Sequence, residues 1–327
     1  MYARNQGHLY FYDEHRQELL THTLGGPVAS TRRRSTHGIF PGGFPESFVP
    51  ISLDSLYFLN RDGDLLVLCD SAGARRGQWP RSAPLASGAT NYFWHTGLSG
   101  LHAQGRYVLM QQSINGGDVF TNETARKKYY AAPFGILLDT RTNRAVNNLG
   151  RIPATINSAN TQYTFYGQTA ISSAGHFLFT YPYSEDVWAY RPDGTYQKKQ
   201  VSAAAFVAPR PYPADSLSDD KYSIWYTYNQ FRFVDLIADP YHHVNYRILQ
   251  HPSRVTFQDG LRVVTPPAAW TLVVFDNDLR TLGEVSFPIR LDKNVVLPTP
   301  QGLLIKKKHD LKSDWEFELY QLPLPKR

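Results

Sequence analysis

The residues best equipped for chemistry stand together in the stretch DPYHHVNY, residues 239–246, which is followed at once by Arg247. Asp239, Tyr241, His242, His243 and Arg247 bring a carboxylate, a phenol, two imidazoles and a guanidinium to one short segment. An imidazole is the side chain that exchanges protons near neutral pH, and it is the commonest metal ligand. A second group, Tyr92, Trp94 and His95, sets two aromatic faces beside one imidazole. Aromatic faces with a few convergent donors suit a glycan or a peptide, so these two groups form the candidate ligand-binding set. Metal chemistry fits them less well. His242 and His243 are neighbours, and successive side chains of a strand point to opposite faces, so they cannot meet one ion without a bulge. No Cys, His or carboxylate stands at a recognised ligand spacing from them, and neither a metal nor a cofactor is expected. No catalytic residue is assigned: the chain has no serine flanked as in a nucleophile elbow, no phosphate-cradling glycine loop and no zinc-protease helix.

What must position these residues is a hairpin that recurs along the chain. Its clearest copy runs from Leu56 to Gly73, LYFLNRDGDLLVLCDSAG. Leu56–Leu59 and Leu65–Leu68 are apolar runs that favour pleated structure, and Asn60, Arg61, Asp62, Gly63 and Asp64 form the turn between them. Asn60, Asp62 and Asp64 alternate as at the start of a calcium loop, but Gly63 falls one position early and no Glu closes the loop. Similar phrases end in turns at Asp13, Asp139, Asp193 and Asp276. Alternation along the strand 56–59 predicts that Tyr57 and Leu59 share one face while Leu56 and Phe58 share the other. The segment 46–53 reads as the inner strand of that unit, 25–45 as a loop carrying the basic triplet Arg32–Arg34, and 223–229 (SIWYTYN) and 231–237 as aromatic strands. A polar insertion over 115–128 contains the glycosylation sequon Asn122, Glu123, Thr124.

Repeats of this length are the signature of propellers and related arrays. Dividing 327 residues by six gives about 54 per unit, close to a four-stranded blade of roughly 40–50 residues with an insertion, and five blades are also arithmetically tolerable. The expected fold is therefore all-β: one domain over residues 1–327, a six-bladed β-propeller of four-stranded antiparallel blades. The chain opens on a short strand, MYARN, so the first blade is expected to be incomplete at the N-terminus, with the natural start of the domain upstream of Met1.

Tyr (21), Phe (18) and Trp (6) far outnumber Met (2) and Cys (1), and 23 Gly with 22 Pro supply many turns, a composition that points to low helix content. The lone cysteine, Cys69, sits in the apolar run LLVLC and reads as a small buried hydrophobe. The formal net charge of +6 is spread over clusters in different repeats, which marks them as solvated surface and argues against nucleic acid as a partner. The first residues have no apolar core of a targeting segment.

The phrases SLDSLYFLNRDGDLLVLCDSAG, GHFLFTYPYSEDVWAYRPDGTYQKKQV and DPYHHVNYRILQHP resemble the uncharacterised TolB-like six-bladed β-propeller proteins found chiefly in Bacteroidetes. That resemblance implies an extracytoplasmic lipoprotein of the periplasm or cell envelope, touching the membrane only through a lipid anchor absent from this chain. It supplies no activity, cofactor or catalytic residue. The reading that follows is a non-catalytic propeller that binds a protein, peptide or glycan at the axial funnel, where loops from every blade meet. A propeller enzyme of lyase or hydrolase type is one alternative, since propeller sites are assembled from scattered loops. A cytoplasmic interaction module is the other.

Overall fold

A computed structural model describes residues 2–5, 8–13, 16–23, 32–35, 45–52, 54–60, 65–70, 73–80, 91–92, 101–111, 113–114, 124, 131, 133–153, 167–210, 220–258, 261–308 and 316–322. The fold is all-β and of propeller type, built from small antiparallel sheets. Its contacts gather into two compact units, Met1–Asn115 with Phe134–Leu149, and Gly116–Pro133 with Gly150–Arg327.

The first unit holds three four-stranded sheets. The first is β1 (Tyr2–Asn5), β2 (His8–Asp13), β3 (Glu18–Thr23) and β4 (Arg32–Ser35); the second is β5 (Pro45–Ser52), β6 (Ser55–Asn60), β7 (Leu65–Asp70) and β8 (Arg75–Pro80). A short ribbon pairs β9 (Asn91–Tyr92) with β12 (Ser113–Ile114), and the third sheet is β10 (Leu101–Gln104), β11 (Tyr107–Gln111), β13 (Pro133–Asp139) and β14 (Arg144–Arg151). The first strands β1, β5 and β10 lie side by side, so the sheets stack face to face. The alternation of β6 works as expected. Leu56 and Phe58 pack with Tyr10, Leu19 and Phe48, whereas Tyr57 and Leu59 pack with Leu101, Val108 and Leu138 of the third sheet. Cys69 is buried in the first of these clusters.

In the second unit the fourth sheet is β15 (Gln168–Ile171), β16 (Phe177–Thr180), β17 (Asp186–Tyr190) and β18 (Tyr196–Gln200). A helix, α1 (Asp220–Tyr228), leads into the fifth sheet, β19 (Arg232–Asp239), β20 (Val244–Gln250), β23 (Ala269–Asp276) and β24 (Thr281–Pro288). Between β20 and β23 the chain leaves the sheet as a separate hairpin, β21 (Arg254–Gln258) and β22 (Leu261–Thr265). The last sheet has three strands, β25 (Leu291–Thr299), β26 (Gly302–Lys307) and β27 (Phe317–Tyr320). Again the first strands β15, β19 and β25 are neighbours, and the sheets bury two apolar layers, one around Leu178, Phe233 and Phe275 and one around Tyr246, Trp270 and Leu303.

Four expectations are corrected. Among the described residues there are five complete four-stranded blades rather than six, because the last sheet carries only three strands. The first blade is not incomplete: β1 to β4 give it four strands. Its fourth strand is the arginine triplet assigned to a loop, which pairs with Glu18–Thr21. A charged run is at home there, because β4 is a sheet edge, where charge discourages pairing with other chains. Finally, SIWYTYN is helical rather than a strand, although Ile, Trp, Tyr and Thr favour strands. Tertiary packing overrides that preference: helical spacing presses Tyr226 edge-on to Tyr183 and brings its hydroxyl to donate to the Arg210 carbonyl at 2.6 Å. Among the described residues no helix is long and apolar enough to cross a membrane.

Candidate functional site

The fifth blade carries most of the candidate residues, and its two ends are built differently. At one end, β19 turns into β20 through Asp239–His243. The two histidines therefore lie in a tight turn and not on a strand, with His243 in the left-handed region at φ 55°. Asp239 is fully buried and organises the turn. Its Oδ1 accepts from the amides of Tyr241 and His242 at 2.9 and 3.0 Å, and its Oδ2 meets the His242 Nδ1 at 2.8 Å and accepts from the Tyr246 hydroxyl at 2.6 Å. The same aspartate device closes other hairpins: Asp13, Asp70, Asp139 and Asp276 each accept a turn amide on Oδ1. A turn that spends a buried carboxylate this fully is a capping device. His243 and part of the His242 ring reach solvent.

Arg247 lies on β20, facing the fourth blade, with no exposed surface. Its Nη1 donates to the carbonyls of Glu185 (2.9 Å) and Val201 (2.6 Å), and its Nη2 to those of Tyr181 (3.3 Å) and Ser184 (2.5 Å). The guanidinium sits over the Phe233 ring, 3.4 Å from its centroid. Burial lowers its pKa well below the ordinary value, against the opposing pull of Asp186 and Glu185. Arg247 is thus a staple holding the 181–185 loop of one blade to the next, and a ligand at the surface does not reach it. Within the fifth blade the structure brings Asp239, His242 and Tyr246 together and sets Arg247 apart. Of the second group, Tyr92 lies in the short strand β9, while Trp94 and His95 fall outside the described residues.

At the opposite end, where β19 begins and β20 finishes, the polar groups are less fully spent. Both inner strands are bulged here: the β19 register shifts between Phe233 and Asp235, and the β25 register between Leu291 and Val296. A bulge bends its strand and re-aims side chains, and bulges gather beside functional sites. Arg232, Asp235 and Lys293 stand at these irregularities, all half-buried. Arg232 donates from Nη2 to the Gln250 Oε1 at 3.3 Å, while its buried Nε finds no hydrogen-bond partner among the described residues. Lys293 donates to the Asn294 Oδ1 at 3.1 Å. Burial, reinforced by the charges of Arg232 and Lys308 and only partly offset by Asp292 and Asp235, pushes its ammonium down to about 8. Among the described residues three cations thus meet two carboxylates here.

Aromatic residues rise over the same end. The Tyr228 ring, at the end of α1, has the guanidinium carbons of Arg232 and Arg262 at 5.9 and 5.6 Å from its centroid. One helical turn earlier, Trp225 is 37% exposed and lies against Tyr222, with ring centroids 5.4 Å apart. Tyr183, buried behind them against Tyr226, has its phenol pushed up to about 12 by burial, with Arg232 pulling the other way. Among the described residues no group of three His, Cys, Asp or Glu is placed to hold a metal ion.

Compared with known proteins, the chain is similar to a member of the DUF4221 family from Bacteroides vulgatus ATCC 8482. The TM-score is 0.67 at 11% identity, over 94% of this chain and 86% of that one. It is also similar to a protein of Bacteroides fragilis NCTC 9343 described as exported, with a TM-score of 0.50 and 8% identity over 94% and 78% of the two chains. The likeness is one of fold. A streptogramin B lyase aligns at a TM-score of 0.39 and 8% identity, over 91% of this chain and 86% of that one, a level that carries no argument about chemistry. No family model matches the sequence, and no curated protein matches it.

Sequence reasoning missed Arg232, Lys293 and the aromatic face of α1. The available signal was the spacing Tyr222, Trp225, Tyr228, which puts three aromatic rings on one side only if the segment is helical. Nothing in the local sequence marks the bulges that aim Arg232 and Lys293. The sequon residues Asn122 and Glu123 and the turn residues 61–64 fall outside the described residues.

Proposed function

We propose that this chain is a non-catalytic propeller of the cell envelope that binds a peptide or glycan, and that the ligand engages the loop end of the fifth blade. The observation that carries this reading is the convergence of two bulged inner strands on one end, where they hold Lys293 and Arg232, the latter against Tyr228 of α1, with Trp225 partly exposed one helical turn earlier. A binding site needs an apolar or aromatic platform and a few polar groups that the fold has left unspent, and this end offers both. The turn end offers His242, His243 and Tyr241 on its surface, but the carboxylate behind them is committed to the turn. The envelope location draws on the Bacteroides fragilis protein of like fold, which is described as exported. Residues 1–327 are read as one domain, five four-stranded blades together with the three-stranded sheet β25–β27.

A glycan and peptide array probed with the wild type, Trp225→Ala and His242→Ala tests the placement. The expected outcome is that Trp225→Ala loses the ligands that the wild type captures while His242→Ala retains them. The reverse pattern would move the site to the Asp239 turn.

A further inference from the structure

We infer that Arg232 and Lys293 form a carboxylate subsite, and that the ligand of the loop end is an acidic saccharide of the uronate kind; this rests on the loop-end reading above. The first support is geometric. Two cations from neighbouring inner strands stand at separate β-bulges on one end, and the Arg232 Nε, like that of Arg247, is a buried donor with no partner among the described residues, while the terminal nitrogens of Arg232, unlike those of Arg247, hold no backbone carbonyl there. Buried donors are almost always satisfied, and a guanidinium offers a planar fork that matches a carboxylate. The remaining bond of Arg232 to Gln250 is long, at 3.3 Å, and leaves the fork open to a better acceptor.

The second support is the local charge. Asp292 and Asp235 face Lys293 together with Arg232 and the exposed Lys308, so among the described residues the cations acting here outnumber the carboxylates by one. Asp235 is in part committed, its Oδ1 accepting from the Leu236 amide at 2.8 Å. One added carboxylate would balance these charges and offset the burial and repulsion that together depress the Lys293 ammonium. The choice of a sugar over a peptide comes from Trp225 and Tyr222. They form a tilted pair, with Trp225 37% exposed, one helical turn from Tyr228, whose ring has Arg232 and Arg262 within cation–π distance. A flat aromatic face beside a carboxylate clamp fits a pyranose ring bearing a carboxyl group.

Calorimetric titration of the full chain with uronate oligosaccharides (galacturonate, mannuronate and glucuronate series), their carboxyl-reduced neutral counterparts and oligoglutamate tests the inference. At least one uronate series is expected to bind, with an affinity about tenfold or more above its reduced form, and Arg232→Gln and Lys293→Gln should each lose about tenfold. Because the ligand favours charged Lys293, affinity should be flat below pH 8 and fall above it in the wild type, and Lys293→Gln should lack that fall. Melting curves of both variants verify that they fold, and Arg232→Lys, which keeps charge but not the fork, should recover only part of the loss.

Binding of no uronate, binding that survives carboxyl reduction, or binding untouched by both charge variants overturns the inference. Equal binding of oligoglutamate overturns the sugar assignment. If a neutral ligand binds and only Trp225→Ala removes it, the loop-end reading stands while the carboxylate subsite falls. If binding is indifferent to Trp225, Arg232 and Lys293 alike, both fall.

Discussion

Arg247 and Arg232 sit on paired strands of one blade and meet opposite fates. Arg247 is sealed, with both terminal nitrogens spent on four backbone carbonyls and an aromatic ring against its face. Arg232 is half-buried, holds one long bond to Gln250 and keeps a buried donor unmatched. Both guanidiniums have lost water, and the fold repays the terminal nitrogens of the first far more fully than those of the second. Each keeps a buried Nε with no partner among the described residues, so the terminal nitrogens separate them: four backbone carbonyls make Arg247 part of the scaffold, whereas Arg232, with one long bond, is where an outside anion has most to gain. The same contrast separates the two ends of the fifth blade. The Asp239 turn closes on itself, and the end where β19 and β25 bulge does not.

The sharpest way to break this comparison is to remove the sealed cation. Arg247→Met keeps an unbranched chain over Phe233 but takes the guanidinium donors from the carbonyls of Ser184 and Val201 in the interior, while those of Tyr181 and Glu185 keep the amides of Ser184 and Val201. Each buried acceptor left unmade costs about 1–3 kcal/mol, part of which relaxation and entering water recover, so for two such acceptors a loss of about 3–4 kcal/mol is expected in urea denaturation. A loss under about 1 kcal/mol would mean that the 181–185 loop is held by other contacts and that Arg247 is not a staple. Next in size, Asp239→Ala should cost about 2–3 kcal/mol, because two turn amides and the buried Tyr246 hydroxyl lose their acceptor together. That variant should leave ligand capture at the loop end unchanged, which no account placing the ligand on the Asp239 turn allows.

What the sequence makes legible follows a physical boundary. The alternation of Leu56, Tyr57, Phe58 and Leu59 is legible because a strand between two sheets has only two faces to choose from, and its side chains sort accordingly. The turns at Asp13, Asp70, Asp139 and Asp276 are legible because the carboxylate caps amides within a few residues of itself. Ser223–Tyr228 is not, since its strand-favouring residues turn helical to reach Tyr183 and the Arg210 carbonyl, partners far away in sequence or chemically anonymous. Arg247 attracts attention as a neighbour of His242 and His243, yet the telling feature is its place in Val244–Gln250, a strand buried along its whole length. A charge inside such a run calls for backbone partners, and those come from another blade. The bulges at Val234 and over Asp292–Val295 leave no pattern in the chain, and they are what aims Arg232 and Lys293.

The smallest expected effect is also the most specific to the open end. Lys293 has its pKa lowered from 10.5 to about 8, first by burial and then by Arg232 and Lys308. Below pH 8 it is charged in both the folded and the unfolded chain, and the folded state carries the full penalty of holding it. Between about 8 and 10.5 the unfolded chain binds more protons than the folded one, so stability rises with pH through that window. For a half-buried group the gain is on the order of 1–2 kcal/mol. Tyr183, pushed up to about 12 by burial, acts in the opposite sense above pH 10, where the unfolded chain releases its phenolic proton first. The measurement is therefore the difference in unfolding free energy between the wild type and Lys293→Met, taken from pH 7 to 10. The variant should be the more stable at pH 7, and the gap should close as pH rises. A bound anion should close the gap at pH 7 as well, because it supplies the acceptor that the fold withholds from this cluster. If the gap is absent, or does not depend on pH, then Lys293 is as well accommodated as Arg247 and the two ends of the blade do not differ in the way drawn from their geometry.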